Sequence, residues 1–148
     1  MRERRQATAQ PHRARDRDFE AFVAGAAGRL LHAATLLTTE PPGRAPRASA
    51  LLTAALAATY ARWDRLRGED PYDLTRRELA TRFARAAWRF HRPYGGILSK
   101  LTPLERLVVV LRLYEGVAEE QTAALLGLPV DRVRATCARA VTILRRSS

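Results

Sequence analysis

Arg132, Arg134 and Arg139 are the side chains with the clearest chemistry to offer. A guanidinium presents a planar fork of donors that matches a phosphate or the O6/N7 edge of guanine, so arginines projected from one helix suit nucleic acid. Asp131 and Ala135 complete the surface that such a helix would present. The residues that must position it lie just upstream: Glu119, Ala123, then Gly127 four residues later and Val133 six beyond that. A small residue at Ala123 lets a second helix cross closely, Gly127 can take the positive φ of a tight turn, and Val133 plugs the inner face of the second helix. Leu125, Leu126 and Leu128 add core. The pattern predicts a helix-turn-helix over 119–139, with its arginines directed at base edges or phosphates. The competing reading is a plain helical hairpin with a solvated basic face. Glu119 and Glu120 read as first-turn residues favoured by the helix dipole, and Cys137 as a packing residue on the second helix.

Composition supports a polyanionic partner. The chain of 148 residues has 26 basic residues, all arginine except Lys100, and a net charge of +11, which attracts nucleic acid before any specific contact forms. A GC-rich genome would produce the same arginine bias, so the bias alone decides nothing. One cysteine, Cys137, excludes an intrachain disulfide and a cysteine-based zinc site. His12, His32 and His91 fall in separate segments with no second ligand at helical spacing, so neither metal nor cofactor is expected. No carboxylate pair, nucleophile–base constellation or phosphate-cradling glycine loop is present, which argues against an enzyme. No apolar run is expected to span a bilayer, and a cytoplasmic protein is the expectation.

Periodicity predicts an all-α chain of five or six helices. Phe19, Phe22, Val23, Ala26, Leu30, Ala33, Ala34 and Leu37 recur at three- and four-residue steps, giving a helix over about 18–38 after a disordered basic tail at 1–17. Pro41, Pro42, Gly43 and Pro46 then form a loop. A second helix over about 48–67 carries Leu52, Leu56, Tyr60, Trp63 and Leu66 on one side. Asp70-Pro71 is an N-cap with proline at the first helical position, opening a third helix to about His91, with Leu79, Phe83, Ala86, Ala87 and Phe90 as its apolar face. Pro93, Gly95 and Gly96 break the chain. Thr102-Pro103-Leu104-Glu105 is a capping box, and the helix it starts runs through Leu107, Val108, Val110, Leu111 and Tyr114 to Gly116.

Several of these stretches resemble one family. The run from Leu98 through the capping box and Leu107–Tyr114 to Glu119–Arg134 is similar to region 4 of extracytoplasmic-function sigma factors of RNA polymerase. Phe19–Val23 followed by Leu30–Thr38 resembles the opening helix of region 2, and Tyr60-Ala61-Arg62-Trp63 resembles the end of its polymerase-binding helix. Pro71–Phe83 with Trp88-Arg89 resembles the segment that engages the melted upstream promoter element. The resemblance implies a three-helix region 2-like domain over 18–92, a linker at 93–97 and a region 4-like domain over 98–146. It implies Arg132, Arg134, Arg139, Asp131 and Ala135 at the distal promoter element in double-stranded DNA. It also implies Arg82, Arg85, Trp88 and Arg89 near DNA in region 2, and Leu52, Leu56, Tyr60, Arg62 and Trp63 against core polymerase. Apart from the family, Trp88 among arginines suits an unstacked base or a place in the core.

Three departures qualify that implication. The acidic and amide residues expected on the polymerase-binding helix are replaced by Ser49, Ala50, Thr53 and Ala54, with Arg44 and Arg47 just before them. Such a surface loses charge-assisted bonds and gains repulsion at an interface built for acids. The seven residues from Arg92 to Leu98 reach about 25 Å when extended, so the two halves are expected to pack on each other. Thr136 stands where a basic residue is common. The functions open at this point are a working sigma factor, a degenerate sigma-like DNA-binding regulator, and an interaction module for an acidic partner such as an anti-sigma factor or a paralogue.

Overall fold

In the computed structural model, the chain is described from residue 2 to 147 and its side chains from residue 12. Six α-helices follow in order: α1 (Arg2–Thr38), α2 (Pro46–Ala61), α3 (Pro71–Arg85), α4 (Pro103–Val109), α5 (Glu119–Leu126) and α6 (Val130–Arg146). The described residues contain no strand.

Local capping chemistry sets three of the helix starts. Asp70 accepts from the Tyr72 amide at 3.0 Å ahead of Pro71. Thr102 and Glu105 form the full capping box, with Thr102 Oγ1 accepting from the Glu105 amide at 3.2 Å and Glu105 Oε1 from the Thr102 amide at 2.9 Å. At α2 the cap comes from outside the helix. Buried Glu40 accepts from the Arg47 and Ala48 amides at 3.1 and 2.8 Å, satisfying donors that Ala45 cannot.

Two helices end earlier than their apolar pattern predicts. α2 stops at Ala61 and passes into a 3₁₀ turn, Trp63–Arg65, which lays Trp63 edge-on against Phe19 with ring centroids 5.3 Å apart. α3 stops at Arg85, and the 3₁₀ turn Ala87–Phe90 brings the Phe90 ring to 5.1 Å from Phe83. In both places the chain tightens so that an aromatic ring reaches the core.

The expected disordered tail is a correction. From Arg2 the backbone is helical and continuous with α1, while Met1 lies outside the described residues. Arg15 shows why helix persists there. Its Nη2 donates to the Tyr60 carbonyl at 2.7 Å, Nη1 pairs with Asp64 at 3.2 Å, and its guanidinium lies over the Tyr60 ring. The Tyr60 hydroxyl donates to Asp16. A cation at the C-terminal end of α2 meets the negative end of that helix dipole. The expectation of no membrane-length apolar segment also needs correcting, because His12–Thr38 is long and apolar enough by length and composition. Its alanines and glycines lengthen the apolar stretch between the larger residues. In the fold, Leu30, Ala33, Ala34 and Leu37 of this segment are buried.

The main core crosses both halves of the chain. Ala33, Leu37, Ala80, Phe83 and Phe90 share one cluster with Leu98, Leu101, Leu107, Val110, Leu111 and Ala140. Two polar side chains fasten the same seam. Arg106 is fully buried, and its guanidinium donates to three main-chain carbonyls: Leu101 at 3.1 Å, Leu37 at 3.0 Å and Phe90 at 2.8 Å. Burial lowers its pKa from the ordinary arginine value, yet a guanidinium keeps its proton at neutral pH. After α4, the π turn Val110–Tyr114 delivers Glu115. Glu115 accepts from Arg29 of α1 at 2.8 Å and from the Tyr72 hydroxyl of α3 at 2.8 Å, with Arg76 at 3.9 Å. Burial, then the bond to Glu115, pushes the Tyr72 phenol far above its ordinary pKa.

Arg106→Met keeps much of the apolar stem but strands three carbonyls. Each unsatisfied buried group costs about 1–3 kcal/mol, so a loss of about 3 kcal/mol or more is expected in urea unfolding. An unchanged midpoint would show that the bridge adds no stability.

Candidate nucleic-acid interface

The C-terminal helix pair is built as its spacing predicts. Gly127 ends α5 with φ 67° and ψ 34°, and Leu128 donates its amide to the Ala123 carbonyl at 3.0 Å. That left-handed position costs a residue with a Cβ but not glycine. Ala123 and Val133 are buried against Val108, with Leu126, Leu128, Val130 and Cys137 packed around them. Cys137 is therefore half-buried packing at the centre of the pair.

α6 turns Asp131, Arg132, Arg134, Ala135 and Arg139 outward, all exposed. The three arginines differ in their tethering. The Arg132 side chain makes no ion pair or hydrogen bond to the described residues. Arg134 is held across the turn by Glu119, Nη2 to Oε2 at 3.0 Å, with Asp131 at 3.6 Å. Arg139 lies 3.6 Å from Glu105, the carboxylate that also serves the α4 capping box. Glu119 thus does more than sit in a first turn. Its hydrogen bond to Arg134 is the first cause that draws its pKa down, and the same bond raises that of Arg134.

The region 2-like candidates separate into two groups. Trp88 is 67% exposed, which removes the core alternative, and the Arg89 guanidinium covers one ring face at 5.0 Å from the centroid. Arg85 and Arg89 are exposed, while Arg82 is half-buried with Nε 3.6 Å from Glu78. Arg82, Trp88 and Arg89 come together at the end of α3, beside Ala50 and Ala54 on the outward side of α2. The candidate polymerase contacts face the other way. Leu52 is buried with Ala26 and Leu30, and Leu56 packs on the same cluster. Tyr60 and Trp63 close on Phe19. The apolar stripe of α2 is its seam with α1, because an apolar stripe on a lone helix pattern does not reveal which neighbour will cover it. Arg62 alone of this set is exposed, 3.7 Å from Glu69.

No group of three or more histidine, cysteine, aspartate or glutamate side chains among the described residues could hold a metal ion. The residues that sequence reasoning missed are Arg106, Glu115, Arg29 and Glu40. The only local signal was Arg106, a charge set directly against the apolar run Leu107–Leu111.

The comparisons agree with this geometry. Residues 97–146 match the family described as sigma-70, region 4. The RNA polymerase sigma-E factor of Streptomyces avermitilis is 30% identical over 153 residues, covering 86% of this chain and 83% of the relative. The chain belongs to the RNA polymerase sigma-factor family. The sigma-E factor of Streptomyces coelicolor is 29% identical over 153 residues, covering 86% of this chain and 84% of its own. That of Streptomyces antibioticus is 30% identical over 137 residues. No solved structure matches the chain. Within this sigma-factor family, the all-α architecture with a helix-turn-helix at α5–α6 makes the chain a sigma-factor-like transcription regulator.

Two measurements check the local geometry. Gly127→Ala has open space around the new Cβ, so only the left-handed φ opposes it, and a loss of about 1 kcal/mol is expected in thermal or urea unfolding. For Glu119, the pair with Arg134 adds stability above the unfolded carboxylate pKa and loses it as pH falls through the lower folded value. A side-chain NMR titration is expected to place the Glu119 midpoint below the ordinary carboxylate range and to return it upward in Arg134→Ala. A midpoint indifferent to Arg134 would mean that the pair does not form in solution.

Proposed function

We propose that this sigma-like regulator acts in the bacterial cytoplasm by binding promoter DNA through α6, with no catalytic activity of its own. The observation that carries the reading is an amphipathic helix, fixed by Gly127 and Val133, whose outer surface offers Arg132, Arg134 and Arg139. Arg132 is free to reach a base edge or phosphate. Arg134 is preorganised by Glu119, which lowers the entropy cost of its contact. The names of the relatives, RNA polymerase sigma-E factors, support core polymerase as the machinery that it serves.

A second reading is a regulator that reaches promoters without a standard holoenzyme. Its support is the outward side of α2, where Ser49, Ala50 and Thr53 are exposed and no carboxylate stands, with Arg47 one turn before. The shared core and the short segment 93–97 support it further, since separate placement of the two halves on distant promoter elements would expose Arg106 and Glu115.

Duplex binding measured against salt tests the common part. If three arginines each neutralise a phosphate, log affinity is expected to fall with log salt at a slope of about −3, and a flat response would exclude phosphate contact. Arg132→Ala is expected to cost about 1–3 kcal/mol of affinity and to relax sequence preference if it reads a base. Pull-down with core polymerase, followed by run-off transcription, separates the two readings. Co-purification with promoter-dependent run-off supports a working sigma factor, and its absence at modest salt leaves the second.

A further inference from the structure

A groove of about 670 Å³ runs between the outward side of α2 and the end of α3. We propose that it docks an acidic amphipathic helix from a partner protein. The inference does not depend on what α6 binds.

The groove combines an apolar floor with a rim of one charge sign. Leu51, Ala86 and the ring of Phe90 lie along the floor, and Ala50 and Ala54, one helical turn apart, form one wall. Side chains that small let a third helix approach α2 closely, as in ridge-and-groove packing. Every charged residue lining the groove is an arginine: Arg47, Arg82 and Arg89. Trp88 stands at the edge with one ring face covered by Arg89, which leaves an aromatic surface for an apolar knob.

The rim favours carboxylates as the incoming charge. The half-buried Arg82 guanidinium makes no hydrogen bond to the described side chains, Glu78 standing 3.6 Å from its Nε, so its fork is not saturated from within the fold. Arg47 is held over Phe90 and Tyr94, so its guanidinium is already placed at the mouth. Carboxylates on the two flanks of a partner helix would meet these forks, while leucine- or methionine-sized side chains filled the floor, the helix-in-groove mode of recognition. A nucleic acid is the weaker match. Between the arginines the lining is apolar, Leu51, Ala86 and Phe90 with the alanine wall, which suits the side chains of a helix better than a sugar–phosphate backbone. Ala50 and Ala54 have no side chain beyond Cβ, which leaves the groove open on the α2 side.

The test uses the full chain and a synthetic helical peptide of about four turns, with leucines spaced three and four apart and glutamates on both flanks. Its controls are the same peptide with glutamine for glutamate and a single-stranded oligo-dT. Tryptophan emission reports binding, with Trp88→Phe identifying the groove signal. The expected result is saturable binding of the glutamate peptide, seen at Trp88, with the glutamine peptide weaker by about tenfold or more. Ala50→Glu, at an exposed position, is expected to weaken the peptide by a similar factor while duplex DNA affinity and the unfolding midpoint stay unchanged. Ala54→Glu provides the second variant. Absence of peptide binding, equal binding of the two peptides, or indifference to both substitutions would overturn the proposal. Displacement of the peptide by oligo-dT at lower concentration would assign the groove to nucleic acid instead.

Discussion

A single guanidinium with no acidic partner among the described residues sits at the centre of the structure. Arg106 lies in the seam between the N-terminal and C-terminal helices, and its three bonds run to main-chain oxygens from three separate segments. A buried charge normally demands a counter-charge. Here the compensation comes from carbonyls. Leu37 is in the last turn of α1, and Phe90 closes the 3₁₀ turn after α3, so both oxygens belong to helix ends whose acceptors would otherwise lack donors. The negative ends of helix dipoles supply the remaining electrostatic support. Neither half of the chain contains the complete set of partners, so the bridge and the fold of the halves onto each other require one another.

That dependence fixes how the rest of the molecule can behave. With Arg106 on one side of the seam and Glu115 on the other, α4 is bound to α1, α3 and the linker entrance at once. The helix-turn-helix rests on α4 through Val108 and on the shared core through Ala140. Its orientation relative to α2 and α3 is therefore a property of the core rather than of a flexible linker. Any state in which the two halves stand apart must rehydrate a guanidinium and a carboxylate and leave Tyr72 without its acceptor. Some of that cost is recovered from water, because both ions are well solvated when exposed. The apolar contacts of Leu37, Phe83 and Phe90 with Leu101 and Leu107 are not recovered, and they make the compact state the stable one.

What was legible in the sequence is what depends on neighbours within a turn. The Thr102–Glu105 box, the Asp70-Pro71 start and the Ala123–Gly127–Val133 constellation are each fixed by contacts a few residues apart, and residue type carries the steric reason. Arg106 and Glu115 escaped because all their partners but Leu101 are 16 to 86 residues away, and for Arg106 they are backbone oxygens, which leave no trace in residue identity. The same holds for Glu40, whose carboxylate caps a helix that begins six residues later. The α2 stripe shows a different limit. Leu52, Leu56, Tyr60 and Trp63 were legible as an apolar face, but only the continuation of α1 beside them reveals that they are covered from within.

The arginines themselves need sorting before the net charge of +11 can be given a meaning. Arg15, Arg29 and Arg76 are committed to Asp64, Glu115 and Asp73, and Arg106 is withdrawn from solvent altogether. The field that a partner meets is therefore set by the remainder, among them the five arginines of α6 and the three that line the α2–α3 groove. Even on α6 the charge is not simply maximised. Glu119 neutralises part of what Arg134 offers, and Glu105 stands close to Arg139. An arrangement selected only for attraction to a polyanion would have left those carboxylates out. Their presence exchanges some long-range pull for side chains held in defined directions, and direction is what discriminates one base edge from another.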